Sequence, residues 1–165
     1  MHDFGNILLG YFDCDTLLRG REKLSQSLLS GIRTHLLSDA TILSRSYGRI
    51  FIDYASNWAG FPLVYLKITG SEVVDYLGTG SYEHCELAVA VINDADNGGS
   101  DATVGLIEKS VRDFLLSSRA FTATGYLSPA IIACQSRSDL RLLKVDDFAY
   151  WQSESTWLVG GHYSG

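Results

Sequence analysis

Between Arg21 and Leu37 the apolar residues Leu24, Leu28, Ile32 and Leu36 recur at every fourth position, Leu29 widens the stripe, and the rest are mainly polar. That recurrence lines the side chains along one side of a helix, so the stretch predicts an amphipathic helix. The pattern then changes. Arg49-Ile50-Phe51-Ile52-Asp53-Tyr54 and Leu63-Val64-Tyr65-Leu66-Lys67-Ile68-Thr69 are rich in β-branched and aromatic residues. Gly48, Gly60, Pro62 and Gly70 bound them, which predicts two strands. From Tyr82 to Ile92, Cys85, Leu87, Val89 and Val91 alternate with Glu86, Ala88 and Ala90, giving a longer strand with one wholly apolar face. Asn93 to Gly99 breaks that strand. Ser100 or Asp101 then caps a second helix, with Val104, Ile107, Val111, Phe114 and Leu115 on one stripe, ending near Ser118. Ala130 to Cys134, Leu140 to Val145 and Tyr150 to Leu158 read as further strands with less regular alternation.

Helices separated by runs of strands, without strict alternation, point to an α+β fold: a mostly antiparallel mixed sheet with both amphipathic helices on one face. With no repeat and no linker, residues 1–165 read as one domain, and residues 1–20 as an N-terminal extension ahead of the first helix. One sheet face is then left over. Trp58, Trp151, Trp157 and nine tyrosines supply material either to complete the subunit's own core or to meet another subunit.

Composition narrows the picture. A chain of 165 residues with 46% hydrophobic and 19% charged residues has the size and balance of one folded soluble domain. Thirteen Lys and Arg against nineteen Asp and Glu give a formal net charge of −6, a field that repels phosphate backbones and disfavours tight nucleic-acid binding. The longest apolar run, Leu87 to Ile92, is strand-sized, so no membrane span is expected, and the first residues lack the basic-then-apolar order of a secretory signal. Cys14, Cys85 and Cys134 are odd in number and widely spaced, which favours reduced thiols over a disulfide framework or a zinc site.

Candidate chemistry is sparse. Asp94-x-Asp96-x-Gly98-Gly99 invites comparison with a calcium loop, but the fifth position from Asp94 is Gly98 and the twelfth, where a bidentate Glu is needed, is Gly105. A solvated turn leading into a helix cap fits better. Gly78-x-Gly80 lacks the remainder of a phosphate-binding fingerprint, so no nucleotide or other cofactor is assigned. His2, His35, His84 and His162 are scattered; His35, at the end of the first helix, suits a hydrogen bond to free carbonyls. His84 and Cys85 are adjacent on a strand and point to opposite faces, whereas Tyr82, His84 and Glu86 share one face as a surface ladder. No nucleophile or oxyanion donor accompanies that ladder, so no catalytic residue is assigned. Arg112, Arg119, Arg137 and Arg141 lie near Asp113, Asp139 and Asp146, which suits ion pairs better than a phosphate track.

The run Phe61-Pro62-Leu63-Val64-Tyr65-Leu66-Lys67-Ile68-Thr69-Gly70-Ser71-Glu72, followed by Glu86-Leu87-Ala88-Val89-Ala90-Val91, resembles the tail terminator proteins of long-tailed bacteriophages, particularly the family of phage lambda's terminator. The order is shared as well: an amphipathic helix, a Phe-Pro strand ending in Thr-Gly-x-Glu, a long strand containing Glu-Leu, an acidic turn and a second helix. The closing Trp151-Gln152-Ser153-Glu154-Ser155-Thr156-Trp157-Leu158-Val159 stretch and Tyr163 are similar to the family's last strand. The segment from Ala120 to Arg141 matches nothing specific.

The resemblance implies a virion protein of the tail or neck, assembled in the host cytoplasm. It forms a homohexameric ring that caps the tail tube protein, stops its polymerisation and meets the head–tail connector or stopper protein. Double-stranded DNA passes through its lumen only in transit. On this expectation Asp94 and Asp96 are candidates for the channel wall, and Trp151, Trp157 and Tyr82 for contact with a neighbouring subunit or partner, the tryptophans alternatively packing within the terminal sheet. Competing expectations are a head completion or stopper protein, a tail-tube subunit, and, in another class, a small hydrolase or calcium-binding module built on Asp94, Asp96 or the Tyr82, His84, Glu86 ladder.

Overall fold

The computed structural model describes residues 19–52, 60–76 and 80–163. Trp58, Cys14 and His2 lie outside them. The elements in chain order are helices α1 (Arg19–Leu37) and α2 (Ala40–Ser46), strands β1 (Ile50–Ile52), β2 (Leu63–Tyr76) and β3 (Gly80–Asp94), helix α3 (Asp101–Ser117), and strands β4 (Tyr126–Arg137), β5 (Arg141–Val145) and β6 (Phe148–Tyr163). The sheet order is β1-β2-β3-β6-β4, with β5 also pairing with β6. β1 runs parallel to β2, and all other pairs are antiparallel. The fold is α+β, as the segment pattern predicts.

Both long helices form where the apolar stripe predicts them. Leu28, Leu29, Ile32 and Leu36 of α1 and Val104, Ile107, Val111 and Leu115 of α3 are buried. They pack against Val64, Leu66, Cys85, Leu87, Val89, Val91, Ile131, Trp157 and Val159, so the main core lies between the helices and one sheet face. The wholly apolar face of β3 is the one the helices cover. Ser100 caps α3, its hydroxyl accepting from the Thr103 backbone N–H at 3.2 Å.

Three features differ from the sequence reading. First, α2 is an additional helix of seven residues. Its cap was visible in principle: Asp39 accepts from the Ile42 backbone N–H at 2.8 Å, and Ile42 is buried in the core. Second, the strands run well past their expected ends. β2 continues from Thr69 to Tyr76 because a register shift between Ile68 and Gly70 absorbs one residue and lets pairing with β3 resume at Gly70↔Glu86. β4 likewise extends from Tyr126 to Arg137 with three such shifts against β6. A 15-residue strand spans about 50 Å, so the sheet is long for its helices. Third, the face away from the helices is not wholly left over. Leu63, Tyr65, Ala90, Ile92 and Tyr150 form a second buried cluster, with Phe51, Phe61, Val145 and Phe148 packed against it.

No helix among the described residues is long and apolar enough to cross a membrane.

Candidate assembly surfaces

The acidic turn after β3 is organised by its own carboxylates. Asp94 accepts from the backbone N–H groups of Asp96 at 3.0 Å and Asn97 at 3.3 Å, and from the Asn97 side-chain amide. Asp96 reaches across to β6, accepting from the Ala149 backbone N–H at 2.7 Å, while the Ala95 N–H donates to the Ala149 carbonyl at 2.9 Å. These carboxylates therefore tie the end of β3 to the start of β6 as well as carrying charge. Asp96 is exposed and Asp94 partly so. Their charge, together with burial, which is the larger cause, pushes the Tyr150 hydroxyl up to about 12. Among the described residues no three His, Cys, Asp or Glu side chains are grouped so as to hold a metal ion.

Trp157 lies entirely inside the subunit. It is fully buried in the main core, and its indole N–H donates to the Ser155 hydroxyl at 2.8 Å, so it has no surface to offer a neighbour. Of the two roles the sequence left open for it, the side chain occupies the internal one. Trp151 is half-buried against the same core. Tyr82 lies on the opposite face and is half-buried, its ring edge-on to His84 and to His162 at 4.8 Å centroid separation in each case. Gly160, opposite His84, makes room for that ring: a Cβ there would stand 2.5 Å from the Tyr82 hydroxyl. The Tyr82 and His84 portion of the predicted ladder thus forms, but it is joined by His162 from β6. Glu86 is exposed two residues further on.

Direct cross-strand partners extend this cluster into rows. One runs Val74, Tyr82, His162, Leu127, from β2 through β3 and β6 to β4. The next runs Glu72, His84, Gly160, Ala130, and Ala130 is bridged in turn by Ala120. Leu127 is 59% exposed, and Ser128 beside it has φ 50°, a left-handed conformation unusual for a residue with a side chain.

On the helix side of the same region Glu83 is buried, accepting a hydrogen bond from the Tyr126 hydroxyl. Burial, and then the neighbouring carboxylate, push both the Tyr126 hydroxyl and the Cys85 thiol up. Cys85 and Cys134 are free thiols. No periodicity flagged Glu83, because an acidic residue in a strand reads as solvent-facing and only the fold brings Tyr126 to it.

The remaining polar residues hold elements together. His35, which the sequence placed against the free carbonyls ending its own helix, instead reaches across to the end of α3: its Nε2 lies 2.6 Å from the Ser118 carbonyl, and its ring packs 4.7 Å from Phe114. Arg137 forms two hydrogen bonds to Glu108, at 3.0 and 3.1 Å, and Arg112 approaches the same carboxylate at 3.4 Å. The acid serving both arginines is Glu108, with Asp113 a longer contact of Arg112 at 3.7 Å. Open clefts lie beside the helices among the described residues. One of about 580 Å³ lies between α1 and residues 122–124, and one of about 550 Å³ between Tyr47, Phe61 and Pro62 on one wall and the acidic turn on the other.

No protein-family model matches this chain, and no curated protein sequence matches it. Its fold does have a solved counterpart. A chain in the structure described as the virion of a native gene transfer agent particle superposes with a TM-score of 0.57 at 14% sequence identity, over 83% of this chain and 96% of that one. At that identity the likeness is one of fold.

Proposed function

We propose that this chain is a structural virion protein, and within that class a tail terminator. The observation that carries the wider reading is the fold shared along nearly the whole of a chain in a gene transfer agent virion. The narrower reading is supported by the order of motifs from Phe61 to Glu72, Glu86 to Val91 and Trp151 to Tyr163. In this role the protein forms a homohexameric ring on the end of the tail tube, stops further addition of tube protein, and presents its other face to the connector or stopper above. The work is non-enzymatic. Duplex DNA passes through the ring without being held, which suits a chain of net charge −6. Asp96 and Asp94 remain candidates for the channel wall, and Tyr82 and Trp151 for subunit or partner contact.

Electron microscopy of the protein alone and mixed with tail tubes tests this reading. Six-fold rings at one tip of tubes of uniform length are expected. Bare tubes of uncontrolled length beside unassociated protein would overturn it.

A further inference from the structure

We propose that Asn97 is a site of self-modification, converted to aspartate and isoaspartate by attack of the Gly98 backbone nitrogen on its side-chain amide, and that Asp94 sets the pace by holding that amide. This inference is independent of the assembly reading above.

The chain has four asparagines, and only Asn97 is followed by glycine. That order matters because the attack closes a five-membered ring onto the main chain, and a side chain on the attacking residue crowds the closure. Gly98 offers no such crowding: its φ is 81°, and no heavy atom stands within 4 Å of where a Cβ would lie. Asn97 and Gly98 are both exposed in the turn between β3 and α3, and among the described residues the Gly98 N–H has no hydrogen-bond acceptor. Solvent therefore reaches both reacting groups. Asn93, in the same segment, supplies the contrast. It is buried, its Nδ2 donates to the Ser100 carbonyl at 3.1 Å, and its Oδ1 accepts from the Asp94 N–H at 3.1 Å, so the nitrogen that would have to attack is already engaged.

The step balances with water as the sole co-reactant. The Gly98 nitrogen gives its proton to solvent base and bonds to Asn97 Cγ; the Cγ–Nδ2 bond breaks, and Nδ2 takes a proton from solvent and leaves as ammonia. One water molecule then opens the cyclic imide. Opening at the Cγ side leaves an ordinary aspartate, and opening at the backbone carbonyl side leaves isoaspartate, with the main chain longer by one methylene. Nucleophile and carbonyl are held in neighbouring residues, which is what lets an otherwise stable amide react.

Asp94 opposes the reaction. One of its carboxylate oxygens accepts from the backbone N–H groups of Asp96 and Asn97, and the other accepts from Asn97 Nδ2, the leaving group. Rotation of the amide onto the Gly98 nitrogen requires that charge-assisted bond to break, and the carboxylate's charge disfavours the anion that forms as the ring closes. Once converted, residue 97 carries a carboxylate that cannot donate to Asp94 and repels it. The turn that ties β3 to β6 through Asp96 and Ala149 then has one internal bond fewer and one negative charge more.

Ageing the full chain at physiological temperature tests this, followed by peptide mapping in mild acid, where the reaction is suppressed. The amide-to-acid mass change locates the site, and electron-transfer fragmentation distinguishes isoaspartate. Conversion is expected at Asn97 as a mixture of both products, with Asn93 intact, and should rise with pH. Asp94→Ala should accelerate it about tenfold, the scale of one charge-assisted hydrogen bond, and Gly98→Ala should suppress it. An Asn97 amide that persists in the folded wild type while the same chain in urea converts would overturn the site. Equal rates in wild type and Asp94→Ala would overturn the hold by Asp94. So would an Asp96→Ala variant, which keeps the Asp94–Asn97 bonds, that reacts as fast as Asp94→Ala.

Discussion

Tyr150 shows how a single residue reports its surroundings. Its ring is buried beside Phe61 and Phe148, with ring centroids at 5.7 and 6.4 Å, and the acidic turn lies close enough to oppose a phenolate. Its ionisation is therefore delayed in the folded protein, from the ordinary value near 10 to about 12. A folded-state value above the unfolded one means that the native protein retains a proton the unfolded chain releases, so stability falls as pH rises through that interval. Thermal unfolding followed from pH 9 to 12 should show a falling midpoint, and Tyr150→Phe should remove part of the fall. Tyr126 and Cys85, which burial and Glu83 shift in the same direction, and Cys134, which burial also shifts up, contribute to the rest. Gly31 makes a related point about space. A Cβ there would stand 2.3 Å from the Thr122 carbonyl oxygen, so the missing side chain lets residues 122–124 lie against α1. A glycine within a helical stripe announces nothing of the kind in one dimension.

At the level of elements, the turn between β3 and α3 does more than reverse the chain. Its acidic composition was legible in the sequence, and so was its failure to match a calcium loop. That Asp96 would clamp the start of β6 was not, because Ala149 lies 53 residues away and becomes a neighbour only through the β3–β6 pairing. Asp96→Ala should consequently lower stability by about 1 kcal/mol, the scale of one partly exposed charge-assisted hydrogen bond, with a midpoint fall of about 2–4 °C by calorimetry. An unchanged midpoint would mean that the bond to Ala149 contributes nothing. Charge reversal at Asp94 and Asp96 tests a channel wall only after this structural loss is subtracted. The α3–β4 junction follows the same logic, with Glu108 gathering Arg112 from its own helix and Arg137 from the strand.

For the whole molecule, charge and architecture act together. The −6 balance is a property of composition, and it predicts that the assembled protein leaves duplex DNA unretarded in a gel-shift measurement at physiological salt. Retention that weakens steeply with added salt would show instead that a cationic surface has been gathered from residues scattered in sequence. The sheet carries its helices on one face and a buried cluster rich in aromatic residues on part of the other, and its long strands reach past both.

The sequence by itself determined the two long helices, the position of most strands, the buried face of β3 and a cap for the second helix at Ser100 or Asp101. Each depends on periodicity or chemistry within a few residues. Only the tertiary structure decided where the strands end, that Trp157 belongs to the core, that Glu83 meets Tyr126, and that Val74, Tyr82, His162 and Leu127 form one row. Those outcomes rest on pairing between segments tens of residues apart. A strand's length and the partner of a polar side chain are fixed by what the fold sets beside them, and local pattern carries no record of it.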